Sequence, residues 1–165
     1  MVRRTAVLAL VLSLATSMAM AGVSGYQDLA KFLPDLPGWT AEKPNGMTMD
    51  SPQGKMITAT REYKLGDKTF SATIMVGSSA TMAWAPFQTG MTMETPEVLM
   101  KATTYKGFKA GINYLKKEKS GGIVVQLSVH NPTAAFVANF EGMDYQEAMK
   151  ILDNFDLKGM ASAIK

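Results

Sequence analysis

A chain of 165 residues with 47% hydrophobic and 19% charged content has the composition of one globular domain, which excludes disorder as its default state. The absence of cysteine excludes disulfides, thiolate zinc centres, a thiol nucleophile and a lipidated N-terminal Cys. The formal charge of +3 leans on Arg3 and Arg4: without them 17 minus 2, or 15, bases face 14 acids, a net +1 that removes the electrostatic case for a nucleic-acid or acidic-lipid partner.

The chain opens with a secretory pattern. Arg3-Arg4 precedes an apolar run from Ala6 to Leu14, and Ala19-Met20-Ala21 supplies a small-x-small cleavage site. The apolar run is too short for a comfortable bilayer span and Ser13, Thr16 and Ser17 interrupt the apolar stretch, so a cleaved signal over residues 1–21 is expected rather than an anchor. What remains, residues 22–165, reads as a single domain, periplasmic or secreted, with no stable membrane span after signal removal.

Ser24-Gly25-Tyr26-Gln27 has the form of a capping box, and Tyr26, Leu29, Ala30 and Leu33 share one face of the short helix it would start. Pro34 and Pro37-Gly38 end that helix in a rigid turn carrying Trp39. Residues 41–53 are loop-like, with a short strand around Met47 to Asp50. From Met56 to Leu65, Ile57, Ala59, Tyr63 and Leu65 alternate with polar residues, and Arg61 shares their side, where its stem can pack while the guanidinium finds a partner. Leu65-Gly66-Asp67-Lys68 turns the chain into a return strand with Phe70, Ala72, Ile74 and Val76 on one face.

Ser78 to Pro96 breaks the alternation. It holds Met82, Trp84, Phe87, Met91 and Met93 among small polar residues, reads as a crossover, and accommodates one helix from Ala80 to Ala85. Glu97 to Thr104 is expected to finish a helix, and Phe108 to Lys117 to form a strand ending in a polar tip, Lys116 to Gly122. Ile123, Val125, Leu127 and Val129 then line one side of a strand. His130-Asn131-Pro132-Thr133 is its turn, and Phe136, Ala138 and Phe140 face one way on the return. Asp144-Tyr145-Gln146-Glu147 has the form of a second capping box, opening a helix with Ala148, Met149, Leu152 and Phe155 in one stripe.

The sum is an α+β domain: a single antiparallel sheet of about six to seven strands, with N-terminal and C-terminal helices packed on it. In element order this layout resembles the PsbP-like sandwich. Leu33-Pro34 with Pro37-Gly38-Trp39, Arg61-Glu62-Tyr63, Tyr105-Lys106-Gly107-Phe108, and Phe136 to Gly142 followed by Leu152 to Leu157 are similar to small exported bacterial proteins of unassigned function. The resemblance carries no catalytic residue across and implies an accessory or binding role.

No phosphate loop, His-Glu metal helix or calcium loop occurs. The expectation is a non-enzymatic exported binding or accessory protein with no cofactor, whose partner is an envelope protein or a small apolar ligand. Its oligomeric state is open. The candidate contact surface comprises Met82, Trp84, Phe87, Met91 and Met93, with Trp39 adjoining, because apolar crossover residues without charge seldom stay solvated. One alternative is Cu(I) binding. Met47-Thr48-Met49 and Met91-Thr92-Met93 each present two thioethers on one side of a strand, and His130 could add a nitrogen. The second alternative is a hydrolase without a recognisable motif, using His130 near Ser128 and an unassigned carboxylate among Glu62, Glu94, Glu97 and Glu141.

Overall fold

A computed structural model describes residues 22–52 and 54–164, and the secretory signal expected at residues 1–21 lies outside the described residues. Among the described residues, nine strands join in one antiparallel sheet: β1 (Thr40–Ala41), β2 (Asn45–Ser51), β3 (Gly54–Leu65), β4 (Lys68–Val76), β5 (Thr92–Glu94), β6 (Val98–Tyr105), β7 (Phe108–Leu115), β8 (Ser120–Ser128) and β9 (Ala134–Glu141). Four short helices accompany them: α1 (Tyr26–Ala30), α2 (Ser78–Trp84), α3 (Tyr145–Ile151) and α4 (Leu157–Ala163). None is long and apolar enough to cross a membrane.

Across the sheet the order is β1, β3, β4, β9, β8, β7, β6, β5, with β2 beside β1 on the outer edge of β3. The chain thus builds the β3–β4 hairpin, crosses to the far edge, and meanders back until β9 pairs with β4. The turns follow from backbone chemistry. Gly66, at φ +59°, closes β3 on β4, and Lys106 and Gly107, both at positive φ, close β6 on β7.

This corrects the expectation of six or seven strands under terminal helices. The sheet is wider, and the helices are four, short and divided between its two faces. Part of the extra width is β6, where a helix was expected from Glu97 to Thr104. Val98, Thr103, Thr104 and Tyr105 are β-branched or aromatic, and pairing from Val98↔Leu115 to Tyr105↔Phe108 turns Leu99 into the core. The local helical signal over these residues is weak, and pairing with β7 overrides it.

The inner face carries the main core. Ile57, Ala59 and Tyr63 of β3, Phe70 and Ile74 of β4, and Phe136 and Phe140 of β9 are buried beneath α1, α3 and α4. Phe155 sits at the centre of this layer, with its ring 5.0 Å from Phe136, 6.1 Å from Phe70 and 6.3 Å from Tyr63. Arg61 shares the face. Its guanidinium group donates to the carbonyls of Leu33 (2.7 Å) and Glu42 (2.8 Å) and pairs with Asp35, pinning the Pro-rich turn to β3.

The two capping boxes do not form. Ser24 donates through its N–H and its hydroxyl to the Asp28 carboxylate, leaving Gly25 at the N-cap of α1. Asp144 does hold the N-cap position of α3, but its carboxylate accepts from Tyr114 Oη at 2.7 Å, while Glu147 pairs with Lys68. A side-chain cap exists where none was expected: Asp156 accepts from Gly159 N–H at 2.9 Å and starts α4.

On the opposite face α2 and the 3₁₀ turn Ala85–Phe87 form a second layer. Trp84 and Phe87, with ring centroids 5.8 Å apart, pack with Ala80 against Val124, Ala135 and Val137. Phe87 lies so close to β7 that a Cβ on Gly111 would come within 2.2 Å of its ring. Gly111→Ala is therefore expected to cost about 1–3 kcal/mol by forcing the ring aside. Urea denaturation of G111A and of G111A/F87L checks this, with the loss smaller in the Leu background.

Buried tyrosines give the fold a pH limit. Burial pushes the Tyr63 phenol up to about 12 despite the pull of the Arg61 charge, and its hydroxyl donates to the Pro34 carbonyl at 2.9 Å. Burial, and then the Asp144 carboxylate that accepts its hydroxyl, pushes Tyr114 up to about 12 as well. A folded pKa above the unfolded value of about 10 means that folding favours the neutral phenol. This stability is whole below pH 10 and is lost as pH rises through 12. Urea midpoints should fall across that window and fall less in Tyr114→Phe, which should lose about 1–2 kcal/mol near neutral pH. Equal slopes for wild type and Y114F would contradict the assignment.

Candidate ligand-binding cleft

A concavity opens at one end of the sheet, where β3 begins and β4 finishes beside the β8–β9 turn. Its floor is Ile57 and Val76, direct partners across β3 and β4, together with Met56. One wall is Val129, Pro132 and Thr133 of the β8–β9 turn. Facing it stand Val23 and Ile164 from the two ends of the described chain, and Ser78 and Thr81 come from the start of α2. The cleft encloses about 710 Å³, within the size range of small-molecule sites.

Gly77 makes this junction possible. Its φ of +92° swings the chain from β4 into α2, and a Cβ there would lie 2.6 Å from the Lys55 carbonyl. The junction is then tied to the opposite wall. Gly77 N–H donates to the Thr133 carbonyl at 2.8 Å, Thr133 Oγ1 donates back to the Gly77 carbonyl at 2.9 Å, and the Thr81 and Thr133 hydroxyls share a bond of 3.1 Å. Ser78 Oγ donates to Met56 Sδ at 2.8 Å. The result is an apolar trough with hydroxyls along one side, and Lys55 is the one charged side chain among its described lining residues.

No carboxylate or imidazole is among the described residues lining this trough. His130 is exposed on the β8–β9 turn, and Ser128 Oγ accepts from its backbone N–H at 3.3 Å. Glu94 and Glu97 are engaged with Lys116 (2.7 Å) and Lys117 (2.6 Å), while Glu62 and Glu141 border a separate, smaller depression near Ser71 and Asn139. Displaced titrations also lie elsewhere. Ser24 and then Lys31 hold Asp28 well below the usual carboxylate range. Lys116 lowers Glu94, and the hydroxyl of Tyr105 and then Lys106 lower Asp153, while burial and that same carboxylate raise Tyr105.

The expected contact surface is not one surface. Trp84 and Phe87 face inward as the second core layer, while Met82 is 76% exposed on α2 and Met91 and Met93 lie at the β5 edge. Trp39 lies on the opposite side of the sheet, half-buried, with its indole edge-on to Phe70 at 6.4 Å. The reason is helical periodicity: a seven-residue helix laid on a sheet must turn one side down, and the aromatic side is the one that goes.

The five proposed metal ligands are also separated. Met47 and Met49 are on β2 and Met91 and Met93 are at β5, with six strands between them, more than about 30 Å at the usual spacing. His130 lies on the β8–β9 turn, on neither of those strands. Residues 76–78 and 129–133 carry a strand exit and a turn in sequence, and nothing in one dimension brings them together. No family model, curated protein or solved structure matches the chain.

Proposed function

We propose that this chain is an exported, non-enzymatic binding protein that holds a small apolar molecule in the cleft between the β3–β4 end, α2 and the β8–β9 turn. The observation that carries the reading is the cleft itself: about 710 Å³, walled by Val23, Met56, Ile57, Val76, Val129 and Ile164, with hydroxyls from Ser78, Thr81 and Thr133 on one side. Burying such walls against a ligand is worth roughly 25 cal/mol per Å² of apolar surface, and the few hydroxyls can orient one polar group of the guest.

The secretory pattern of residues 1–21 supports placing the protein in the periplasm or outside the cell. An accessory role agrees with what the resemblance to PsbP-like domains implies. The hydrolase alternative draws no support from the cleft, because its described lining has no acid, base or activated nucleophile in reach of one another.

The full chain should bind the neutral fluorophore N-phenyl-1-naphthylamine saturably, with enhanced emission. Val129→Trp places an indole in the opening from a position already 57% exposed, so it should fold normally and weaken binding about tenfold or more. Fluorescence titration against circular dichroism of the same variant checks this. Non-saturable binding, or equal affinity in V129W, would rule the cleft out.

A further inference from the structure

The two faces of β2 have different tasks. Gly46 and Thr48 look toward α1: a Cβ on Gly46 would meet Tyr26 at 2.8 Å, and Thr48 Oγ1 accepts from the Tyr26 N–H at 3.0 Å. Because alternate residues point oppositely, this docking holds Met47 and Met49 on the outward face, where they are 49% and 43% exposed. Across the β2–β3 ladder, Met49 is the direct partner of Met56, and Met47 is the partner of Thr58 one step further.

Three thioethers therefore share one side of one hairpin. Direct partners have Cα atoms about 4.5–5.5 Å apart, and alternate residues on a strand about 6.5–7 Å. Methionine side chains, with three rotatable bonds each, can converge across such spacings. Met56 is already oriented, since the Ser78 hydroxyl donates to its sulfur at 2.8 Å and occupies one lone pair, leaving the other. The nearest charges, Lys55 and Asp50, are partners on the inward face and neutralise one another across 3.7 Å.

We propose that Met47, Met49 and Met56 form a three-thioether site for a soft monovalent cation, Cu(I). Thioether sulfur selects Cu(I) over hard cations, and Met47 and Met49 are half-exposed where the ion would enter. The other Met-Thr-Met segment is not equivalent. Met91 falls outside β5, and Met100, the partner of Met93, is packed against the Trp84–Phe87 layer. Met56 also borders the cleft, yet the metal site stands whether or not the cleft takes an apolar guest.

The test is titration of the purified full chain with Cu(I) against a chromogenic Cu(I) chelator, together with Ag(I) titration followed through the methionine methyl NMR signals. One retained equivalent is expected, with shifts at Met47, Met49 and Met56. Met49→Leu and Met56→Leu, which preserve volume, should each weaken retention about tenfold or more, whereas Met82→Leu on α2 should match wild type. No retention, unchanged retention in both M49L and M56L, or shifts confined to Met91 and Met93 would overturn the proposal. Naphthylamine binding, measured separately, leaves either result unambiguous.

Discussion

β9 is apolar on both sides, and the architecture follows from that. Phe136, Ala138 and Phe140 look into the main core, while Ala135 and Val137 look the other way and are buried as well. Its neighbour β8 repeats the arrangement, with Ile123 and Val125 inward and Val124 outward. Strands of this kind cannot leave one face to water, as an ordinary antiparallel sheet does, so the centre of the sheet requires a covering layer on each side. The terminal segments supply one layer and the mid-chain crossover must supply the other.

That demand explains the crossover's odd composition. Trp84 and Phe87 lie in a seven-residue helix and the turn after it, and they reach Val124, Ala135 and Val137 together only because Gly111 leaves room for the Phe87 ring. A helix this short covers only the middle of its face. Where it begins, the sheet ends and the β8–β9 turn enclose an apolar trough that neither layer fills. Beyond its reach on the same face, Glu62, Ser71 and Asn139 form a polar row across β3, β4 and β9 that needs no roof. The cleft is thus a product of incomplete coverage, set by helix length and by the Gly77 swing into α2.

The edges of the sheet are managed by chemistry suited to exposure. On one side β2 pairs with β3 for its whole length, and Arg61, a charge on an otherwise oily face, ties the Pro-rich turn to the same strand through the Leu33 carbonyl and the Asp35 carboxylate, and the residue after β1 through the Glu42 carbonyl. Such an inward cation is tolerated because its stem packs while every direction of its planar head meets an oxygen. On the other side β5 is only three residues long, and a short edge strand offers little template for unwanted pairing. Methionines stand on both edges, but only at β2 does the ladder hold three of them in adjacent positions.

Taken alone, the amino-acid order determined the alternating strands at 56–65, 70–76, 108–115, 123–128 and 136–140, the turns at Gly66 and Lys106-Gly107, the start of α3 near Asp144, and the packed stem of Arg61. Each of these depends on neighbours within a few residues, through side-chain periodicity or backbone sterics. Tertiary structure decided the rest. It made Glu97 to Thr104 a strand by offering β7 as a partner, took Asp144 and Glu147 from their capping roles by placing Tyr114 and Lys68 nearby, and set Trp39 and Trp84 on opposite sides of the sheet. It also brought Gly77 against Thr133 and Met49 against Met56. The first of those contacts spans more than fifty residues, and the second depends on a hairpin register that is set where Gly46 and Thr48 dock on Tyr26 of α1.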